Sequence, residues 1–359
     1  MCKLSELFGD KTSENSLKKV LIVDGHNIAY RCLYSDIYRN PDDITTFALW
    51  KHAFLNDIFN VIAKFNPDTV VLAFDEKGSW RYNIYPNYKA HRKSAKAKSK
   101  LPIDWELFFR IFDEFINDIK KTFTNIYVIK APHTEGDDII GVCANEIFKT
   151  DDITIVSNDG DMRQLLVNPN VHQYDPKSRE IVECMNPAIE LEMKILTGDH
   201  SDFITGVRYG VGKMTAEKII KTGLDDFVDN LKYKITRKMK RREWMSDEDT
   251  LLYCLLPIGE DCLPPEDNRP VVTKDEIEYF IKKDKAQVHI NYKRNINLID
   301  LKKIPNDIKN EIINIYTTHK DENFKPTNGS EIMSFFMKHQ LTQHMSNWNQ
   351  VSRYFKELI

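Results

Sequence analysis

Short apolar runs in this chain stop abruptly at acidic residues. In "KKVLIVDGHNIAY" (18–30) a basic pair leads into four aliphatic residues, and the run ends at Asp24-Gly25. "DTVVLAFDEKGSW" (68–80) repeats the design and ends at Asp75, and "DITIVSNDGD" (152–161) runs into Asp159 and Asp161, held two apart by Gly160. "TNIYVIKAP" (124–132) and "NVHQYDP" (170–176) are two further apolar or alternating runs. Such runs, bounded by turn residues, predict strands covered on both faces. The intervening segments "TFALWKHAFLNDIFNVIAKF" (46–65), "DWELFFRIFDEFINDIKKTF" (104–123) and "GDDIIGVCANEIF" (136–148) repeat apolar residues at i, i+3 and i+4 and predict helices. Alternating β and α segments predict an α/β fold, a mostly parallel central sheet flanked by helices.

Beyond about residue 190 the pattern changes. Residues 188–223 read as helix, Gly-rich turn, helix; 224–270 is charged and ends in the Pro-rich "LPIGEDCLPPEDNRP", a loop or linker; 274–359 reads as helical. The expected organisation is a flexible leader (1–17), an α/β domain (18–187) with an insert near 80–105, and a helical domain (188–359) with a helix–turn–helix near 188–222. No internal repeat is present.

Composition narrows the class. A chain of 359 residues with 42% hydrophobic and 11% aromatic residues can bury a large core. It contains no apolar run of the ~20 residues that span a bilayer, and its first residues hold no secretory h-region, so a cytoplasmic, non-membrane protein is expected. The six cysteines (Cys2, Cys32, Cys143, Cys184, Cys254, Cys262) include no C-x-x-C pair, which argues against a zinc ribbon or a disulfide framework. Net charge is −3, from 51 Lys and Arg against 54 Asp and Glu, so overall balance predicts no polyanion partner. The distribution of charge predicts one.

In open α/β sheets ligands sit at the carboxyl ends of the strands. Asp24, Asp75 and Asp159 occupy such ends, and Asp161 follows. Glu135, Asp137 and Asp138 open the helix after the third strand, where carboxylates gain from the helix N-terminus. Asp199 and Asp202, three apart, share a face if their segment is helical. Any one of these has a bland reading as a cap or turn residue, but five segments ending this way form a set. Oxygen ligands without His or Cys favour Mg²⁺ or Mn²⁺, and two such ions suit phosphodiester hydrolysis.

Two segments suit phosphate. "GVRYGVGKMTA" (206–216) spaces Gly206, Gly210 and Gly212 before a helix expected to start near Thr215, with Lys213 beside it. Small residues let backbone amides approach a phosphate, although a Gly-rich loop can also be purely structural. "WRYNIYPNYKAHRKSAKAKSK" (80–100) interleaves aromatics with Arg81, Lys89, Arg92, Lys93, Lys96, Lys98 and Lys100, which suits a nucleic-acid strand. Tyr88, Lys89 and Arg92 follow the strand that carries Asp75. The basic run "KITRKMKRR" (234–242) reads equally as duplex contact or solvated helix face.

In "LIVDGHNIAY", "LAFDEKGSWRYNIYPNYKAHR", "TEGDDIIG", "VSNDGDMRQLL" and "LTGDHSDFITGVRYGVGKMTA" the chain resembles the structure-specific 5′ nucleases: flap endonucleases, the 5′-nuclease domain of DNA polymerase I and, most closely, the phage RNases H of the T-even type. The match covers roughly 18–220 and continues more loosely to the end. The resemblance implies a PIN-like fold with a helical arch near 80–105. It implies a first metal among Asp24, Asp75, Glu135, Asp137 and Asp159, and a second shaped by Asp161, Asp199 and Asp202, with Asp138 an acidic neighbour. It implies Lys89 and Arg92 on the scissile phosphate, Tyr30 stacked on a terminal base, and the 206–212 loop on duplex phosphates with a monovalent cation such as K⁺. The implied activity is 5′→3′ exonuclease and flap endonuclease action on DNA or RNA primers, including RNA–DNA hybrids, during lagging-strand replication. The implied partners are branched or nicked duplexes, acted on by a monomer. "LSELF" (4–8) is similar to sliding-clamp tails, and 325–359 could bind a single-strand-binding protein; leader and structural cap are the plain alternatives. A phage-encoded chain would act in the host cytoplasm. Rival readings are a PIN-type single-strand ribonuclease, a non-catalytic DNA-binding relative and a junction resolvase.

Overall fold

The structure is a computed structural model and describes residues 17–39, 47–92, 103–231, 274–321 and 328–346. The expectations for 4–8, 234–242, Lys93 and the lysines at 96, 98 and 100 fall outside them, as do parts of 325–359. Among the described residues no helix is long and apolar enough to cross a membrane. Cys32 and Cys143 are buried free thiols.

The chain forms two compact units. One comprises 1–79, 101–185 and 305–359; the other comprises 80–100 and 186–304. The first holds a six-stranded sheet in the order β3-β2-β1-β4-β5-β6. Its strands are β1 (Lys19–Asp24), β2 (Thr69–Ala73), β3 (Ile126–Ile129), β4 (Asp152–Val156), β5 (Val171–Asp175) and β6 (Glu180–Ile181). Strands β1 to β5 pair in parallel, and β6 returns antiparallel. Leu21, Ile22, Val23, Val71 and Leu72 are wholly buried, as expected for parallel strands covered on both faces.

One face is covered by α1 (Gly25–Arg39), α2 (Ala48–Phe65) and α4 (Trp105–Thr122), the last capped by Asp104, whose carboxylate accepts the Leu107 N–H at 2.9 Å. Here Trp50, Phe54, Phe108 and Phe115 pack edge to face, Phe112 lies tilted against Phe108, and the Trp50 indole donates to the Ala29 carbonyl at 2.9 Å. The segment predicted helical at 136–148 divides into α5 (Gly136–Val142) and one π-helical turn, Cys143–Ile147.

The sequence pattern groups everything after 188 together, but the contacts part it near residue 304. Of the C-terminal helices, α10 (Asn306–Asp321) sets Tyr316 against Tyr127 and Phe148. Helix α11 (Gly329–Lys338) and the short α12 (Thr342–Ser346) join the aromatic face through Ile332, Phe335, Phe336 and Leu341. The physical reason is the ring cluster: Phe335 lies 5.6 Å from Phe115 and 5.3 Å from Phe123, so these helices finish burying α4.

The second unit contains α3 (Arg81–Ile84), α6 (Pro187–Thr197), a two-residue hairpin of β7 (Gly198–Asp199) and β8 (Ile204–Thr205), α7 (Lys213–Thr222), α8 (Leu224–Asp229) and the long α9 (Lys274–Ile299). Its core is Leu196, Val207, Val211, Ala216, Ile219, Val228 and Val288. Asn295, fully buried on α9, ties the hairpin down by donating to the Ile195 and Thr205 carbonyls.

Inside the first unit, His344 on α12 packs against His52 and Phe59 of α2 and Phe336 of α11. Burial lowers its pKa to about 4, with His52 adding repulsion. The native state therefore favours neutral imidazole, and this contribution to stability is present above about pH 6.5 and is lost as pH falls through 4. Denaturant unfolding across that window is expected to show on the order of 3 kcal/mol of loss from this group, absent in His344→Phe.

Candidate active site

Asp24 is the last residue of β1 and pairs in register with Ala73 of β2. Asp75 stands two residues beyond Ala73, and Asp159 three beyond Val156, the partner of Val23. Since β1 lies between β2 and β4, three strands deliver carboxylates to one edge of the sheet. The strand order reverses between β1 and β4, the switch point where ligands bind in such sheets. Gly136, at the start of α5, keeps this edge open: a Cβ there would lie 3.1 Å from Asp75 Oδ1 and 3.9 Å from Asp24 Oδ1. Its N–H donates to Asp75 Oδ1 at 2.6 Å.

Asp24 is 8% exposed. It accepts the Asn27 N–H at 3.0 Å and the Ser157 hydroxyl at 2.9 Å. Burial pushes its carboxyl up to about 7; the Asn27 amide and Ser157 hydroxyl pull it down, while the Asp75 and Asp159 charges add to the rise. An all-oxygen set under burial and mutual repulsion fits a hard divalent cation, which would relieve both costs.

The other acidic positions of this unit have protein partners. Glu135 and Asp138 form a reciprocal capping box at the start of α5: the Glu135 side chain accepts the Asp138 N–H, and the Asp138 carboxylate accepts the Glu135 N–H at 3.0 Å. Asp138 is wholly buried and Asp137, in the same turn, is half-buried. Asp159 caps the 3₁₀ turn Gly160–Val167 by accepting the Asp161 N–H at 2.9 Å. Among the described residues no three His, Cys, Asp or Glu side chains stand together as ready ligands. Tyr30, on α1, is half-buried, with its ring 5.6 Å from His26 and 6.4 Å from the exposed Tyr34.

In the second unit Asp199 and Asp202 do not share a helical face. Helix α6 ends at Thr197 because Gly198 turns the chain at φ 80°; Asp199 lies in β7 and Asp202 in the following turn. Asp199 is buried and paired with Lys194 at 2.8 Å. That lysine and the Ser201 hydroxyl hold its carboxyl below the usual range against the effect of burial. Asp202 accepts from the Tyr88 hydroxyl at 2.8 Å and from Arg92 at 2.9 Å, with the Lys89 ammonium at 3.7 Å. Lys89 itself sits at φ 52°, its N–H on the Asp202 carbonyl at 2.8 Å. Thus the structure gathers Tyr88, Lys89, Arg92 and Asp202 into one ionic knot.

Two residues expected to meet nucleic acid are buried instead. Arg81 is 4% exposed, donates to the Leu298 carbonyl at 2.8 Å and stacks on Trp80, so it closes the end of α9. Tyr88 is 2% exposed and packs with Ile195, Ile204 and Leu298. In the 206–213 loop, Gly206 backs onto α6, where a Cβ would lie 2.8 Å from the Thr197 carbonyl. Gly210 (φ 83°), Gly212 and Lys213 are exposed, and α7 starts at Lys213, two residues before the expected Thr215. Residues that pattern reading passed over are His26, whose Nδ1 accepts the Asp75 N–H at 2.9 Å, and the buried Ser157 and Gln173. Gln173 left a signal, a polar residue in the inward register of a buried strand.

A parallel sheet bearing carboxylates at its switch point is an arrangement suited to a hard divalent ion. Residues 19–196 match the model of the 5′-3′ exonuclease N-terminal resolvase-like domain, and 267–351 match that of the T4 RNase H C-terminal domain. The chain belongs to the structure-specific 5′ nucleases, a family of metal-dependent phosphodiester hydrolases. It is 26% identical over 346 residues to ribonuclease H of Enterobacteria phage T4, covering 94% of this chain and 97% of that protein. It is 29% identical over 265 residues to DNA polymerase I of Caldicellulosiruptor bescii, covering 67% of this chain but only 30% of the polymerase. The bacteriophage T5 flap endonuclease, solved as a complex with DNA and metal ions, shares the fold with a TM-score of 0.56 and 18% identity, over 85% of this chain and 100% of that one.

Gly198 tests the geometry of the hairpin. At its φ of 80° a Cβ would meet the Ile204 carbonyl at 2.3 Å and the Gly206 nitrogen at 2.5 Å, both backbone atoms. Gly198→Ala is expected to cost at least about 2 kcal/mol in urea unfolding.

Proposed function

We propose that this chain is a Mg²⁺- or Mn²⁺-dependent 5′→3′ exonuclease and flap endonuclease acting on branched or nicked duplexes and RNA–DNA hybrids. The observation that carries the reading is the delivery of Asp24, Asp75 and Asp159 to one sheet edge, with Asp24 buried among like charges. The relative from phage T4, named a ribonuclease H and matched nearly end to end, supports RNA in a hybrid as substrate, and the process this reading assigns is primer removal in lagging-strand replication.

In this reading Asp24, Asp75, Glu135, Asp137 and Asp159 hold one ion, and Asp161, Asp199 and Asp202 help hold a second, with Asp138 setting the local charge. For Asp199 and Asp202 that role requires exchange with Lys194 and with the Lys89 and Arg92 pairs. The chemistry supplied by two bound ions of this kind is activation of a water and stabilisation of the leaving oxygen. Lys89 and Arg92 leave Asp202 for the scissile phosphate and offset the charge that develops on its oxygens. Lys93 extends the same basic segment. The Tyr30 ring stacks on the base next to the cut. The exposed turn at Gly210 and Gly212, with Lys213 at the start of α7, grips duplex phosphates, with K⁺ as the cation of that loop. Arg81 and Tyr88 act from inside, holding the base of the 80–92 segment. Products carry a 5′-phosphate and a 3′-hydroxyl. The chain acts as a monomer in the cytoplasm, with 4–8 docking on a sliding clamp and 325–359 on a single-strand-binding protein.

A 5′-labelled flap substrate provides the test. Wild type is expected to release short 5′ products with Mg²⁺ and none with EDTA, and Asp159→Asn to release none. Tight flap binding with no cleavage under any divalent ion would refute the reading. Lys89→Ala and Arg92→Ala are each expected to lower kcat by about 10²-fold, the scale of losing one donor to a developing anion.

A further inference from the structure

Beneath the carboxylates at the β1 and β4 ends lies a buried polar chain that the proposed chemistry does not use directly. The Ser157 hydroxyl, with no solvent exposure, donates to Asp24 Oδ2 at 2.9 Å and accepts the Asp159 N–H at 3.1 Å. A hydroxyl has one proton. The Asp159 amide takes one of its lone pairs, and the proton goes to the Asp24 carboxylate. One side chain therefore fixes both the rotamer of Asp24 and the backbone of Asp159.

Gln173 carries the second half. It sits on β5 in register with Ile155 and is 1% exposed, and its amide nitrogen donates to the carbonyls of Ser157 at 2.9 Å and Asp159 at 2.7 Å. Two carbonyls flank the NH₂ group, so turning the amide over would set oxygen against oxygen; the orientation is forced. The backbone of Gln173 is held as well, since its carbonyl accepts the Val182 N–H at 2.8 Å and so ties β5 to the strand-return segment. The loop 157–159 is thus pinned through the Ser157 and Asp159 carbonyls, while the neighbouring Asn158 side chain accepts from the Asn27 side-chain amide at 2.5 Å on the solvent side.

We propose that Ser157 and Gln173 are positioning residues for the divalent-ion centre, setting the spacing of Asp24 and Asp159 before any ion arrives. The inference rests on the ion-dependent nuclease reading. Groups that orient ligands in this way typically contribute about 10–100-fold to ion affinity or activity. Because Gln173 holds main-chain carbonyls rather than a carboxylate, its effect travels through the loop and reaches Asp159 more than Asp24.

The test uses the full chain. Mg²⁺ and Mn²⁺ binding are measured by calorimetry without substrate, alongside kcat, KM and the ion concentration for half-maximal flap cleavage. Ser157→Ala and Gln173→Met are expected to weaken ion binding and to raise that half-maximal concentration by about 10-fold or more, with KM for the flap little changed. Ser157→Thr, which keeps the hydroxyl, is expected to restore both. Wild-type ion affinity in Ser157→Ala and Gln173→Met, with only a lower melting temperature, would overturn the proposal and leave the pair a structural role. If Gln173→Met fails to fold, Ser157→Ala against Ser157→Thr still decides. A wild type that cleaves while the variants keep its ion dependence overturns this inference alone; a wild type that neither binds ions nor cleaves overturns the nuclease reading with it.

Discussion

Burial of Asp24 beside other carboxylates is the constraint around which the first unit is arranged. An acid at the end of a strand whose preceding residues are wholly buried loses hydration and faces Asp75 and Asp159 as like charges, and its carboxyl rises to about 7. The protein meets part of this cost with the Asn27 amide and the Ser157 hydroxyl. It shares the rest of the acidic load by local caps, with Glu135 and Asp138 bonded reciprocally and Asp159 closing onto Asp161. What remains at the edge is negative charge that a divalent cation would neutralise.

The second unit solves an opposite problem. Lys89 and Arg92 are cations close to one another, and Asp202 holds them together with Tyr88 as an uncharged fourth member. The positive φ of Lys89 and Phe203 shows that backbone as well as side chain is bent to this purpose. Carboxylate and phosphate are both anionic acceptors for such cations. The knot fixes both cations on one carboxylate.

Aromatic packing links the C-terminal helices to the α/β core. Phe335 and Phe336 complete a surface that Phe115 and Phe123 leave apolar, and His339 adds a buried imidazole on Asp118 at 2.9 Å. Nothing local to 329–346 marks that destination, because an amphipathic helix reports only that one face is covered. The division of the chain near residue 304 follows from shape complementarity between segments more than 200 residues apart.

Strand identity, the parallel sheet and the edge carrying Asp24, Asp75 and Asp159 were legible in the sequence, because a buried parallel strand must be an unbroken apolar run and must end where polarity returns. The ordered motifs carried the family as well. Tertiary structure alone decided which polar groups face each other. Arg81 reads as a surface cation in a basic stretch, yet α9 and Trp80 enclose it. Asp199 and Asp202 read as one helical face, yet Gly198 breaks the helix just before them. Gln173 reads as one polar residue in a short strand, yet it reaches two carbonyls of the neighbouring loop. Periodicity records burial along a single segment. Hydrogen-bond partners, and the charge each carboxylate feels, depend on distances between segments, and those exist only once the chain has packed.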